Sequence, residues 1–192
     1  MNNAIKFNHI RRLWFLKDGV VFSRWGNKPV SFSGKGRGGH CYTMVGINGK
    51  RYPIFIHDAV FMLHHNRAIA EDKEIHHVDG DHENNVIDNL IELTHKQHMR
   101  IHQYQIDDPL RGIYLNRGAW EFKWYEDNGR QRARSFNGIN EALAFRDEIE
   151  RPRRQELRAL GLNCKRAGNR QTASTLRQRN RQQNPRLWRH RQ

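Results

Sequence analysis

Residues 74–102 read EIHHVDGDHENNVIDNLIELTHKQHMRIH. A histidine pair, His76 and His77, precedes an Asp-Gly turn, an Asn-rich loop and a helix-like run that carries His98 and His102. Neighbouring residues of a strand point to opposite sides, so the pair presents one imidazole to each side. Residues four apart on a helix share a face, so His98 and His102 can bind one ion. The stretch therefore predicts a metal site beside an imidazole that can accept a proton near neutral pH.

Turn and capping residues in the same stretch predict a hairpin that is followed by a helix. The Asp-Gly pair suits a tight turn, in which Gly80 accepts a positive φ. Thr94 is expected to cap a helix that begins near His95. Asn84 and Asn85 are interpreted as Asx-turn or capping residues of the connecting loop.

The order of these residues resembles the HNH nucleases of the phage homing type, whose hairpin-and-helix site cuts phosphodiester bonds. The resemblance implies that His77 is the general base and that His76 is a metal ligand. It also implies that Asn89, in the segment IDNL, hydrogen-bonds loop backbone and so holds the base in position.

The helix that follows supplies the remaining candidates. The spacing from Asn89 to His98 and His102 agrees with that of the colicin-like HNH group. This agreement implies that His98 is a ligand. His102 is either a second ligand from this helix or a phosphate contact. Arg100 either contacts a phosphate near the cut or is an ordinary surface charge.

The resemblance implies one divalent metal ion. Imidazole ligands suit Zn²⁺, Ni²⁺, Co²⁺ or Mn²⁺, whereas Mg²⁺ prefers oxygen. HNH nucleases commonly run on Mg²⁺ or Mn²⁺, with phosphate and water in the coordination shell, so these two ions are expected first. The expected products are 5′-phosphate and 3′-hydroxyl ends.

Charge is concentrated at the end of the chain. Residues 151–192 contain thirteen Lys and Arg residues and a single acid, Glu156, within a chain of net charge +14. Such a tail favours a polyanionic partner, and nucleic acid comes first among the candidates. A solvated, disordered terminus is the alternative, and Arg153 and Arg154 are the first tail residues predicted to contact DNA.

Composition excludes several classes of protein. No apolar run is long enough to span a bilayer, and the first residues lack a secretory pattern, so a cytoplasmic protein without a membrane partner is expected. Cys41 and Cys164 are far apart and belong to no CxxC pair, which predicts free thiols.

The segment before the histidine stretch predicts a small antiparallel sheet and a short helix. In residues 11–56, Asp-Gly and Asn-Gly pairs separate β-prone runs and so predict hairpins. The glycine-rich segment SGKGRGGH is interpreted as a flexible connection, because no GK[ST] motif follows. Residues 56–66 have apolar spacing typical of a helix.

Residues 109–150 predict three strands and one helix. Trp120, Phe122 and Trp124 alternate along the middle strand and are expected to bury one face against the helix. The Gly-Ile-Tyr start, the Trp120 strand and the helical alanines and Phe145 resemble the AP2-type DNA-binding domain. The resemblance implies that the sheet lies along a DNA groove, with contacts from Tyr114, Arg117, Lys123, Tyr125 and Arg132.

The sequence as a whole predicts an α+β protein. An HNH nuclease domain (1–106, with its ββα-metal motif at 74–102) precedes an AP2-like domain (107–150) and a basic, partly disordered DNA-binding tail (151–192). The predicted activity is metal-dependent, site-specific cleavage of double-stranded DNA. The alternative is a non-catalytic DNA- or RNA-binding protein on an HNH scaffold. A nicking monomer and a dimer that cuts both strands fit the sequence equally.

Overall fold

The computed structural model describes residues 2–106 and 108–164. Within these residues lie four α-helices, ten β-strands and two short 3₁₀ turns. The helices are α1 (Asn3–Leu13), α2 (Ile56–His65), α3 (His95–Gln105) and α4 (Ile139–Ala159). The strands are β1 (Trp14–Lys17), β2 (Val20–Ser23), β3 (Gly34–Lys35), β4 (Cys41–Ile47), β5 (Lys50–Phe55), β6 (Lys73–His77), β7 (Leu90–Thr94), β8 (Ile113–Asn116), β9 (Ala119–Tyr125) and β10 (Gln131–Phe136).

All strand pairs are antiparallel and connect neighbours in the chain. The described strands form the sheets β1-β2, β3-β4-β5, β6-β7 and β8-β9-β10. The mixed α+β class that the sequence predicts is thereby confirmed, with two separate sheets rather than one before the histidine stretch. The chain divides into two compact units, residues 1–100 and 101–192, and the division falls inside α3.

Two tight turns set the hairpins of the first unit. Asp18 and Asn48 adopt a φ of 50°, and the glycines that follow them adopt 75° and 76°. Two successive positive φ angles are typical of type I′ turns, which match the twist of the paired strands. These turns join β1 to β2 and β4 to β5, as the sequence predicts.

The core of the first unit lies around helix α2, which the sequence predicts at this place. Ala59, Val60, Phe61 and Met62 are all buried in it. Helix α1 has no counterpart among the sequence predictions, and it contributes Phe7 and Ile10 to the same core. The largest share of the remaining core comes from the strands, through Trp14, Val21, Val45, Ile47, Ile54, Ile75 and Leu90.

The hairpin of β6 and β7 leads directly into helix α3. Its register pairs His76 with Ile91 and His77 with Leu90. Thr94 caps α3: its Oγ1 accepts from the Gln97 N–H at 3.2 Å, and the Gln97 side chain accepts from the Thr94 N–H at 3.0 Å. This reciprocal capping box satisfies two backbone donors and fixes where the helix begins.

The second unit contains the predicted three-stranded sheet and its covering helix. Phe122 is buried in β9 and packs with Trp120 and Trp124 against the face of α4 that carries Ala142 and Phe145. The alternation of aromatic residues along β9 is therefore confirmed as the signal for this packing.

Helix α4 does not end at residue 150, the limit of the segment for which the sequence predicts it; it runs through Pro152 to Ala159. The buried Glu150 carboxylate accepts from the guanidinium groups of Arg111 and Arg154, which ties this turn of the helix to its surroundings. Proline cannot donate the helical hydrogen bond at its own position, yet the helix continues past it beside this buried carboxylate. None of the described helices is long and apolar enough to cross a bilayer.

An ion pair clamps the loop before β6 onto β7. Arg67 donates to both Glu92 carboxylate oxygens, at 3.1 and 2.9 Å, and the Ala70 N–H donates to the same carboxylate at 2.8 Å. The Arg67 hydrogen bond is the main reason that the pKa of Glu92 lies below its usual value of 4.5, although burial raises it.

We expect Glu92→Gln to destabilise the protein by about 1 kcal/mol at pH 7, since the charge-assisted hydrogen bonds that a partly buried carboxylate accepts from exposed Arg67 and from the Ala70 N–H are weakened. A carboxyl whose folded pKa is depressed stabilises above its unfolded pKa, and this contribution is lost as pH falls through the folded pKa. The variant should therefore lose less stability than wild type between pH 6 and pH 3. Urea unfolding at each pH measures both effects. Glu148→Gln, on an exposed position of α4, is the charge-matched control.

Candidate active site and metal centre

Strand β6 separates the two predicted site histidines. His76 and His77 are both buried. His76 lies with His98 and His102, whereas His77 lies with a different group of histidines. The two imidazoles therefore lie on opposite sides of β6, as the sequence predicts, because neighbouring side chains of a strand alternate.

Three imidazoles come together on the His76 side. One ring nitrogen from each of His76, His98 and His102 lies within 4.8 Å of the others. The ring centroids of His76 and His98 are 5.1 Å apart, and His102 lies one turn further along α3. Nitrogen atoms at this spacing are able to share one ion.

Glu74 stands behind this trio, and the sequence predictions did not assign it. Its Oε2 lies 2.5 Å from Nδ1 of His98, and its Oε1 lies 2.8 Å from Nδ1 of His95. A carboxylate on Nδ1 holds the proton there and leaves the lone pair of His98 on Nε2 for a metal. The signal was present in the sequence, since Glu74 and His76 are two apart on one strand and share a side.

The ionisation of Glu74 follows from these contacts. Burial raises its pKa, but the hydrogen bonds with His95 and His98 outweigh burial and leave the pKa below the usual 4.5. Glu74 is therefore a carboxylate near neutral pH, as a partner of metal-binding imidazoles must be.

His77 is held by Asn85. Its Nε2 lies 3.1 Å from Oδ1 of Asn85, whose own amide nitrogen donates to the Glu83 carbonyl at 3.0 Å. That second bond fixes which end of the amide faces the ring, so Nε2 of His77 donates its proton to Oδ1. The lone pair of His77 is consequently on Nδ1. The Asx-turn or capping role predicted for Asn85 is therefore wrong, since its Oδ1 faces His77; at Asn84, by contrast, Oδ1 accepts from the Val86 N–H at 3.4 Å, as in an Asx turn.

Burial is the main cause that lowers the pKa of His77 below 6.5. The Asn85 hydrogen bond opposes this, neighbouring His82 lowers the pKa further, and the Asp79 and Asp81 carboxylates raise it. The net direction favours the neutral imidazole, which is the form that accepts a proton.

Asn89 ties the loop between β6 and β7 together. Its Oδ1 accepts from the Asp79 N–H at 3.0 Å. Its amide donates to Oδ1 of Asp79 at 2.9 Å and to the Asn84 carbonyl at 2.8 Å. In addition, the Val78 N–H donates to the Asn89 carbonyl at 2.9 Å. These bonds lie directly after His77 and restrain the chain that carries it.

A further histidine group surrounds His77 and was not predicted. One ring nitrogen from each of His40, His57 and His77 lies within 4.8 Å of the others. Burial, followed by the neighbouring His40 and His77, lowers the pKa of His57 to about 3. His40 and His57 are far from His77 in the chain, so no spacing in the sequence indicates this group.

The predicted DNA-contacting residues of the sheet divide between its two faces. Tyr114, Lys123 and Tyr125 share the face away from α4, and Lys123 lies 6.0 Å from the Tyr114 ring centroid. Arg117 is exposed at the β8–β9 turn. Arg132 does not lie with them: it pairs with Trp124, so it is on the helix-facing side, and its Nε donates to Glu126 at 2.9 Å. The register of β10, which the sequence leaves open, is the reason.

The remaining predicted DNA contacts, Arg153, Arg154 and Arg100, are each half-buried. Arg153 lies 3.5 Å from the Asp127 carboxylate. Arg154 donates to Glu150 at 2.8 Å and to the Cys164 carbonyl at 3.1 Å, within its own unit. Arg100 is half-buried on α3. Residues 165–192 of the predicted tail lie outside the described residues.

Residues 55–100 match the model of a family described as HNH endonuclease. These residues form an HNH endonuclease domain. The protein that carries it is a nuclease, and the matched segment includes His76, His77, Asn89 and His98. The predicted enzyme class is thereby confirmed.

Two further comparisons add little to this identification. No curated protein matches the chain. One solved structure is similar to this chain; its title is "DNA binding and cleavage by the HNH homing endonuclease I-HmuI". The two sequences are 16% identical and the TM-score is 0.40. The matched region covers 65% of this chain and 75% of the chain in that structure.

The donor set fits the divalent ion that HNH nucleases use. Three imidazoles converge, and the Glu74 carboxylate orients one of them, as metal-binding histidines usually require. Such a set favours Zn²⁺, Ni²⁺, Co²⁺ or Mn²⁺, and binds Mg²⁺ only with oxygen ligands from water and phosphate.

We expect Glu74→Gln to weaken metal binding by about 10- to 100-fold, because the amide no longer fixes the tautomer and orientation of His98. Titration of the full-length protein with Mn²⁺, followed by electron paramagnetic resonance of the free ion, measures the affinity. Glu83→Gln, in the exposed loop, removes the same charge and should bind Mn²⁺ as wild type does. Equal losses in both variants would show that only the general charge matters.

Proposed function

We propose that this nuclease hydrolyses phosphodiester bonds of duplex DNA, with His77 as general base and one divalent ion on His76, His98 and His102. The observation that carries the proposal is the opposite placement of His76 and His77 on strand β6. One side collects three imidazoles at metal-binding distance, and the other holds a neutral imidazole whose proton position is fixed.

The histidine base has the tautomer that the reaction needs. Asn85 accepts the Nε2 proton, so Nδ1 of His77 is free to take the proton of the attacking water. Asn89 restrains the backbone next to the base and keeps this geometry through the reaction. When bound, the ion would supply positive charge to the phosphate and the leaving oxygen. Attack on phosphorus with departure of the 3′-oxygen gives 5′-phosphate and 3′-hydroxyl ends.

Recognition of an extended target is assigned to the second unit and the tail. The Tyr114, Lys123 and Tyr125 face of the AP2-like sheet combines two exposed aromatic rings with a cation, a surface suited to a groove and its phosphates. The basic tail adds a salt-sensitive term that is independent of base sequence. Together these parts would confine cutting to particular sites, as in homing-type enzymes.

We expect His77→Ala to reduce the rate of metal-dependent plasmid cleavage by about 10²- to 10⁴-fold, since the base is removed. Supercoiled plasmid is incubated with wild type or variant in Mg²⁺, Mn²⁺ or EDTA. His64→Ala, at an exposed position of α2, is the matched control and should cleave as wild type does.

Two results would overturn the assignment. Equal cutting by wild type and His77→Ala would exclude His77 as the base. Tight DNA binding by wild type with no cleavage in any metal would favour a binding protein on an HNH scaffold. Discrete fragments from a long DNA would support site-specific cleavage, whereas a smear would contradict it.

We expect deletion of residues 165–192 to weaken DNA binding and to reduce the slope of log affinity against log salt, because nine Lys and Arg residues are removed. The deletion begins after Cys164 because Leu157, Leu162 and Cys164 are buried. Fluorescence anisotropy over a series of salt concentrations measures both quantities. A tail of the same composition in permuted order should restore binding, and unchanged affinity of the truncated protein would exclude the role.

A further inference from the structure

A second group of imidazoles lies around His77, apart from the trio on the other side of β6. His40 directly precedes β4, His57 lies in the first turn of α2, and His77 ends β6. Their ring centroids are 4.8 Å apart for His40 and His57, 5.2 Å for His57 and His77, and 5.5 Å for His40 and His77. One nitrogen from each ring lies within 4.8 Å of the others.

One ring nitrogen of His57 has no hydrogen-bond partner among the described residues. The side chain is buried, and its Nε2 faces the Asp58 carboxylate at 3.3 Å. Its Nδ1 is also buried and has no hydrogen-bond partner among the described residues. A buried imidazole nitrogen is costly to leave in this state, so the position favours a ligand that accepts a lone pair.

His82 extends the group. Its ring centroid is 4.1 Å from that of His40 and 5.6 Å from that of His77. Its Nδ1 is likewise buried without a hydrogen-bond partner in the described part of the chain. Packing of the rings against one another accounts for the centroid distances, but it leaves these nitrogen atoms unsatisfied.

We propose that His40, His57 and His77 form a second metal site, which binds one divalent ion of the class that imidazole prefers, represented by Zn²⁺. Zn²⁺ accepts four nitrogen ligands in tetrahedral geometry, whereas Mg²⁺ prefers oxygen. The second site therefore discriminates against Mg²⁺, which is expected to support cleavage.

Binding of an ion at this second site would inhibit DNA cleavage by the nuclease. A metal ion held by His77 uses the imidazole lone pair that the base needs to accept a proton from water. This consequence rests on the proposed function, since it requires His77 to be the base; the metal site itself does not. Zn²⁺ bound in this group would then inhibit cleavage at the base, separately from any effect of Zn²⁺ at the ligands of the catalytic ion.

The first experiment counts ions by calorimetric titration of the full-length protein with Zn²⁺ alone. Wild type should bind two ions, one in each histidine group. His40→Gln, at a half-buried position, and His57→Gln should each lower the affinity for one of the two ions by at least about 100-fold. A loss of that size exceeds the usual effect of replacing a residue that only contacts a ligand. His98→Gln should weaken the other ion and leave the first unchanged.

An exposed histidine pair provides the control for this experiment. His64 and His65 lie next to each other on α2 with ring centroids 4.9 Å apart, outside both groups. His64→Gln should still bind two ions. Thermal unfolding of each variant confirms that it is folded, and His40→Gln keeps the test valid if His57→Gln does not fold. A single ion in wild type, or two ions bound by His40→Gln with the affinities of wild type, would overturn the site.

The second experiment measures Mg²⁺-dependent plasmid cleavage as Zn²⁺ is added, with each protein normalised to its own rate without Zn²⁺. In wild type, half inhibition should occur near the dissociation constant of the second site. His40→Gln should need at least about tenfold more Zn²⁺, in line with its weaker binding. If Zn²⁺ inhibited His40→Gln and wild type at the same concentration, the proposal that Zn²⁺ inhibits cleavage through His77 would be overturned.

The two experiments separate the second site from the proposed function. Two bound ions without any cleavage by wild type would leave the site in place and refute the proposed function. One bound ion with vigorous cleavage would refute the site and leave the proposed function in place.

Discussion

The antiparallel pairing of β6 with β7 is the constraint on which both histidine groups depend. Five pairs from Lys73 with Thr94 to His77 with Leu90 fix the orientation of every side chain on β6. Because side chains alternate along a strand, a shift by one residue would move His76 to the side of His40 and His57, and His77 to the side of His98 and His102. Ile75, which is buried in the core of the first unit, opposes such a shift, since it would become displaced from that core.

The loop between these strands keeps the end of β6 in place through side-chain amides. Asn89 bonds backbone at Asp79 and Asn84, and Asn85 bonds the imidazole of His77. Amide groups suit this task because they donate and accept at once without changing charge with pH. The same loop carries carboxylates whose charge reaches the base, so its composition affects both the position and the proton affinity of His77.

The sequence was sufficient for features that depend on nearby residues. The Gly80 turn, the Thr94 cap and the placement of His76, His98 and His102 follow from strand and helix periodicity over a short span. Glu74 was within reach of the same reasoning, since it shares a side of β6 with His76.

Features that depend on tertiary contacts could not be predicted from the sequence. His40 and His57 reach His77 only because three separate elements pack in one unit, and no periodicity connects them. Helix α4 continues through Pro152 although proline is unfavourable inside a helix, and the contact of its buried Glu150 with Arg111 joins residues far apart in the chain. The orientation of Arg132 depends on the register of β10, which strand alternation leaves undetermined.

The two histidine groups also differ in how far along the chain their members lie. The trio of His76, His98 and His102 is drawn from one hairpin and the helix directly after it, so its assembly requires closure of a single short loop. His40, His57 and His77 come from three elements, and they meet only when β4, α2 and β6 have all packed. The first group is thus assembled through contacts of low sequence separation, whereas the second depends on contacts between segments that lie further apart in the chain.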